Sequence, residues 1–157
     1  MNLSFTGCQE LADKLDKLGA KASGAASAAL YAGAGVMADA IREATAALPV
    51  DDNPKRPFNG TPLAVISTED KEDLLNSIGI AKFRRDADVV ETKVSFSGYT
   101  RREEKRLGPV PLPMIARSIE SGSSVRAKFP FCRNAAKTAK PKVIAAMQAE
   151  IDKQTEG

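Results

Sequence analysis

The stretch from Ala22 to Leu48 constrains this chain more than any other. Leu30, Met37, Ile41, Ala44 and Leu48 recur at the three- and four-residue steps that put side chains on one face of a helix. Between them the segment is nearly all Ala, Gly and Ser, and Ala is the best helix former. Gly33 and Gly35 each cost about 1 kcal/mol in a helix interior, which points to another backbone coming close there. Charge is confined to Asp39, Arg42 and Glu43, a narrow wet strip. A helix this smooth can be covered on more than one side, by its own sheet or by a neighbouring copy.

At 157 residues the chain fits a single domain, 1–157, able to bury about two-thirds of its unfolded surface. No uninterrupted run of 18 apolar residues is present, so no membrane span is expected. Met1 to Phe5 lacks the basic and apolar regions of a secretory signal. Cys8 and Cys132 fit no zinc or redox spacing and are read as reduced thiols, a disulfide being the lesser alternative. The net charge of +3 is unevenly placed. Residues 111–157 carry eight bases and four acids, whereas residues 51–110 carry eleven of each.

In chain order, Asn2–Thr6 suits a short extended lead-in. Gly7 opens a first helix with Leu11, Leu15 and Leu18 on one face and Gly19 as its stop. The long helix follows and ends before Pro49. Residues 51–68 read as a long loop, of the kind that is functional or that orders against a partner. Asp51-Asp52 within it have the chemistry to hold a cation, but without converging ligands they read as a solvated turn. Thr68 suits a helix cap with acids behind it, and Leu74 and Leu75 anchor a short helix ending near Ser77.

Ile78–Phe83 and Val89–Ser97 read as two strands of an antiparallel hairpin, the second alternating Val90, Thr92, Val94 and Phe96 with polar residues. Residues 98–112 then read as a second long loop carrying Arg101, Arg102, Lys105 and Arg106 against Glu103 and Glu104. That cluster leaves three readings open: a solvated loop, a protein–protein contact, or a weak nucleic-acid site with Tyr99 to stack. Pro113 opens a short helix with Ile115 and Ile119 inward and Gly122 as its stop. Phe129 and Phe131 are expected to plug the core edge. The last helix runs from Asn134 to about Lys153 and buries Val143, Ile144, Met147 and Ile151, with a kink at Pro141 or a true start only near it.

Together these elements make an α+β protein: two N-terminal helices, one of them long, a small antiparallel β-sheet, and a short helix and a C-terminal helix packed on the sheet. Catalytic chemistry is missing. There is no histidine, no phosphate loop, no dinucleotide fingerprint and no partnered cysteine. The expectation is therefore a non-enzyme without cofactor or metal, built for interaction.

Several stretches taken in order resemble the tail-component family of long-tailed bacteriophages, the neck or tail-completion proteins of HK-type siphophages. Phe5-Thr6-Gly7-Cys8-Gln9-Glu10-Leu11 is similar to the family's start, and Ala46-Ala47-Leu48-Pro49-Val50-Asp51 to its helix end. Leu74-Leu75-Asn76-Ser77-Ile78 resembles its Leu-x-x-Ser-Ile, here displaced by the loop of residues 52–69. Ile115 to Ser123 resembles the stretch ending in Glu-x-Gly-Thr. Ala127 to Ala135 resembles Pro-Phe-Leu-Arg-Pro-Ala, with Cys132 for Leu and Asn134 for Pro.

The resemblance implies a structural virion protein, assembled in the bacterial host cytoplasm, that forms a homo-oligomeric ring, a hexamer or dodecamer. The ring would lie between the head-closure or connector protein and the tail terminator or tail tube, with passing contact to genomic DNA in its lumen and none to membrane. On this reading Phe129 and Phe131 dock the last helix to the sheet. Residues 52–68 and 100–112 reach other subunits, with Arg101, Arg102, Lys105, Arg106, Phe129 and Phe131 as candidate subunit contacts. The competing class is a small basic nucleic-acid-binding module using the same arginines and the lysines of the last helix, which a steep fall of DNA affinity with salt would reveal.

Overall fold

A computed structural model describes residues 6–53, 62–86, 89–104 and 108–155. The expected lead-in at residues 2–5 and the loop tip at 54–61 lie outside them. The first element, α1, is one helix, Thr6–Ala46, where the sequence predicts two separated at Gly19. The reason is conformational. A glycine stops a helix by turning left-handed, and among the described glycines only Gly98, Gly108 and Gly122 have positive φ. Gly19 stays helical at a cost of about 1 kcal/mol that its Ala-, Leu- and Lys-rich flanks tolerate.

Among the described residues of α1 and its exit, Ala29, Gly33, Ala34, Ala38, Ile41, Thr45 and Leu48 are buried. Leu30 and Met37, expected among them, are only half-buried. Thr45 is fully buried because its hydroxyl donates to the Ile41 carbonyl at 2.7 Å, which removes the cost of a lone buried donor.

Past Pro49 the described ends of the 51–68 segment are tied down. Asp51 N–H donates to the Ile66 carbonyl, Ile66 N–H to the Pro49 carbonyl, and Ile66 is buried. Ala127 N–H donates to the Leu63 carbonyl at 2.7 Å. Helix α2, Thr68–Ser77, is capped one residue before Thr68: the Ser67 hydroxyl accepts from Asp70 N–H. Thr68 instead gives both its N–H and its hydroxyl to Asp52. These bonds hold the Asp52 carboxyl below its ordinary range.

The expected hairpin forms in two ladders. β1, Ile78–Ile80, pairs antiparallel with β4, Val94–Phe96, and β2, Arg84–Asp86, with β3, Val89–Glu91. The continuous Val89–Ser97 strand is thus broken at Thr92-Lys93, where the Thr92 hydroxyl donates to the Ala81 carbonyl and Ala81 N–H donates to the Lys93 carbonyl. The expected loop over 98–112 is corrected more heavily. It forms a second antiparallel hairpin, β5, Tyr99–Glu104, with β6, Gly108–Pro111. Gly98 (φ 88°) precedes β5 and Gly108 (φ 67°) opens β6, both in the backbone region that favours glycine. The buried Thr100 hydroxyl accepts from Val110 N–H where the register shifts.

Helix α3 spans Leu112–Ser121, with Pro113 in its first turn and Gly122 (φ 78°) after it, as its sequence predicts. Helix α4, Phe131–Thr155, starts earlier than expected and runs through Pro141. The Glu120 carboxylate makes this start possible. It accepts from Cys132 N–H at 2.9 Å and Arg133 N–H at 3.2 Å, placing negative charge on the helix N-terminus. Leu48, Ile66, Leu74, Leu112, Ile115, Ile119 and Phe131 form the main core, where Phe96 reaches Phe131 at a ring separation of 6.1 Å. Ala38, Ile41 and Ile78 form a second cluster under the first hairpin. The α+β class holds, with the long N-terminal helix and the C-terminal helix packed along each other.

Candidate functional site

Helices α1 and α4 run antiparallel, and their packing decides what the molecule presents. Near the middle, Gly33 lies so close to α4 that a methyl group there would sit 2.7 Å from Met147 Cγ. A close approach does occur at Gly33, but it is made by the Met147 and Val143 side chains and not by the backbone expected there. At Gly35 an added methyl group would meet nothing within 4 Å. Toward the other end, Ala44 of α1 and Ala47 just past it face Phe131 and Ala135 of α4 across an open groove of about 570 Å³.

That groove is apolar along its floor, with Val36, Ala40, Ala44, Phe131, Ala135 and Ala139, and Phe129 stands at its edge. Its α1 rim carries Asp39 and Glu43, both exposed, and its α4 rim carries Lys142. Asp39 also accepts from Arg42 at 2.8 Å. A second groove, of about 520 Å³, runs along the opposite side of the helix pair between Leu30, Met37, Val143 and the first hairpin at Val94. Sequence reading missed the groove alanines of α4, since Ala at every third or fourth position in a polar helix reads as propensity rather than as a surface.

The two phenylalanines part company. Phe131 is 2% exposed and joins α4 to the core and to Phe96, as expected. Phe129 is 43% exposed. It docks by its backbone, N–H to the Ile119 carbonyl at 2.7 Å, and leaves its ring on the surface. Ile144, expected inward, is 55% exposed, because a helix lying on a single partner helix buries only a narrow stripe. Tyr31 and Phe83 make a further surface aromatic pair, edge to face at 6.1 Å.

Arg101 has an intramolecular task. Its backbone N–H and its Nε donate to the Asp73 carboxylate, itself buried, and its second terminal nitrogen donates to Glu72 at 3.0 Å. Glu72, then Asp73, hold the guanidinium further into its charged form. The arginine thus straps β5 to α2. Lys105 and Arg106 lie outside the described residues, as does the side chain of Arg102. Asp70, one turn before Asp73, is buried beside Arg126 at 4.0 Å.

Among the described residues no group of three or more His, Cys, Asp and Glu side chains gathers as metal ligands. Cys132 is a free thiol whose pKa is pushed up to about 12, first by burial and then by the nearby Glu120. It therefore stays protonated and a poor nucleophile at neutral pH. One expectation changes. Although no unbroken apolar run exists, Ala22–Ala46 is long and apolar enough, at a mean hydropathy of 1.2, to cross a membrane by composition alone. Only 28% of its most apolar stretch is buried. No family model, curated protein or solved structure matches the chain.

Proposed function

We propose that this chain is a structural subunit of a tailed-phage neck, a head–tail joining protein that works by assembling with copies of itself and with the neighbouring connector and tail proteins. One observation carries the reading: a long helix rich in Ala and Gly, apolar from Ala22 to Ala46, that its own fold covers on part of its circumference only. Exposed apolar surface of that extent marks an interaction face. Small residues let another helix come close, so the face suits a packed protein partner. The order of the resembling sequence stretches supplies the kind of assembly. One of them, Ile115 to Ser123, also has structural tasks here, Glu120 as the cap of α4 and Gly122 as the left-handed end of α3.

The nucleic-acid alternative is weakened by the engagement of Arg101, the one arginine of its cluster whose side chain is described, with Asp73 and Glu72. The test is assembly. Sedimentation and negative-stain imaging of the purified protein, alone and with its head and tail partners, should give closed rings. A chain that stays monomeric with those partners at high micromolar concentration overturns the reading. So does co-flotation of the monomer with phosphatidylcholine vesicles, which would put the Ala22–Ala46 face in lipid.

A further inference from the structure

We infer that the α1–α4 groove is one half of a two-fold contact, its occupant the same groove of a second copy of this chain. The inference goes beyond the ring reading, because a two-fold contact pairs subunits and does not by itself close a ring.

The first support is opposite chemistry on the two rims. The floor sets Ala40 and Ala44 of α1 against Ala135 and Ala139 of α4, and it opens to about 570 Å³ among the described residues. Asp39 and Glu43 stand exposed on the α1 rim, one turn apart. Asn134, Thr138 and Lys142 stand exposed on the α4 rim, again one turn apart. The two carboxylates accept hydrogen bonds, and each of the three α4 side chains can donate them. Asp39 already accepts from Arg42 through Oδ1, an exposed pair of little worth.

The second support is where the rims fall along the helices. A side chain at Gly33 would begin 2.7 Å from Met147 Cγ and 3.2 Å from Val143 Cγ1, so Gly33 lies level with the α4 turn between them. Counting back along the antiparallel pair at about 1.5 Å per residue, Asp39 comes within about one turn of the level of Lys142, and Glu43 comes level with the turn between Asn134 and Thr138. Two such faces can meet about a two-fold axis in two ways. An axis across the helices stacks α1 on α1 and crowds four carboxylates together. An axis along the helices lays the α1 of each copy over the α4 of the other and keeps every level. Asp39 then meets Lys142 of the second copy and Glu43 meets its Asn134 and Thr138, each contact made twice. Like charge disfavours the first arrangement and opposite charge selects the second. In the second, every helix runs antiparallel to both of its neighbours, the order of an up-and-down four-helix bundle.

The third support is Phe129. Its ring is 43% exposed at the end of the groove that Ala47 also lines. The same rotation brings that ring over Ala44 and Ala47 of the second copy, whose methyl side chains leave room for it. The face is thus its own complement in charge, in level and in shape, which is why the occupant is a second copy.

The test is sedimentation equilibrium of the full chain over a concentration series, with thermal unfolding of each variant followed by circular dichroism. The samples are wild type, Lys142→Glu, Asp39→Lys/Glu43→Lys, and an equimolar mixture of the two variants. The expected result is a dimer as the smallest assembled form of wild type, weakened more than about tenfold in each variant alone and recovered in the mixture. The altered side chains are exposed, so the monomers' melting temperatures should stay close together. A wild type that forms no dimer overturns the contact and leaves the groove to a different protein. A dimer that neither variant weakens overturns it as well, because α1 stacked on α1 only exchanges like charges for like charges. Loss in both variants without recovery in the mixture does the same. Rings that assemble regardless of both variants end this inference and leave the ring reading standing, whereas dimers that behave as expected but never form rings do the reverse.

Discussion

Single positions along α1 and α4 show how the same residue type can carry opposite consequences. Gly33→Ala would gain about 1 kcal/mol of helix propensity and lose about 1–3 kcal/mol by forcing Met147 and Val143 aside. Gly35→Ala makes the first change without the second. Thermal unfolding should therefore show a lower melting temperature for Gly33→Ala and a higher one for Gly35→Ala. Cys132 makes a prediction in pH. Its folded pKa of about 12 lies above the ordinary 9.0, so the neutral thiol is favoured by folding. That contribution is complete below pH 9 and is lost as pH rises toward 12. Cys132→Ala should accordingly flatten the alkaline fall of stability relative to wild type in urea titrations across that range. Alkylation of the native thiol at neutral pH should be slow.

At the scale of elements, α2 is a hub whose two buried acids hold segments distant in sequence. Asp73 takes β5 through Arg101, and Asp70 lies beside Arg126 in the loop before α4. Asp73→Ala would strand the Arg101 N–H and free the second hairpin from α2, at a cost of about 1–3 kcal/mol. Hydrogen exchange should show β5 and β6 losing protection before α1 does. Arg101→Ala leaves a buried carboxylate short of its cation and should destabilise comparably. The arginine was legible in the sequence as part of a charged cluster. Its partner was not, because Asp73 sits 28 residues away on a helix whose acids read only as those that follow a cap. The second hairpin was missed for a related reason. Charge and proline in residues 98–112 point to loop, and what makes strands of them is pairing between β5 and β6 and the Thr100 hydroxyl bond.

At the scale of the whole molecule, stability and assembly separate between Phe131 and Phe129. Phe131→Ala opens the main core and should cost about 3–5 kcal/mol. Phe129→Ala removes a ring from the groove edge. It should leave the melting temperature nearly in place and weaken self-association, as read by sedimentation equilibrium. An equal loss of stability in both variants would contradict the division of the molecule into core and contact face. Local spacing could mark both aromatics as special, flanking Pro130 before a helix. It could not say which of them the core would take.

What the sequence determined alone is what short-range physics controls. It set the long helix through Ala content and apolar period, the ends of α3 through Pro113 and Gly122, the first hairpin through alternation, and the absence of histidine chemistry. Tertiary structure decided what depends on groups far apart in the chain. It decided that Gly19 continues a helix, that Arg101 is a strap, and that Phe131 is core while Phe129 is surface. Each of these turns on burial and on which partner arrives at a given face, quantities that no window of neighbouring residues contains.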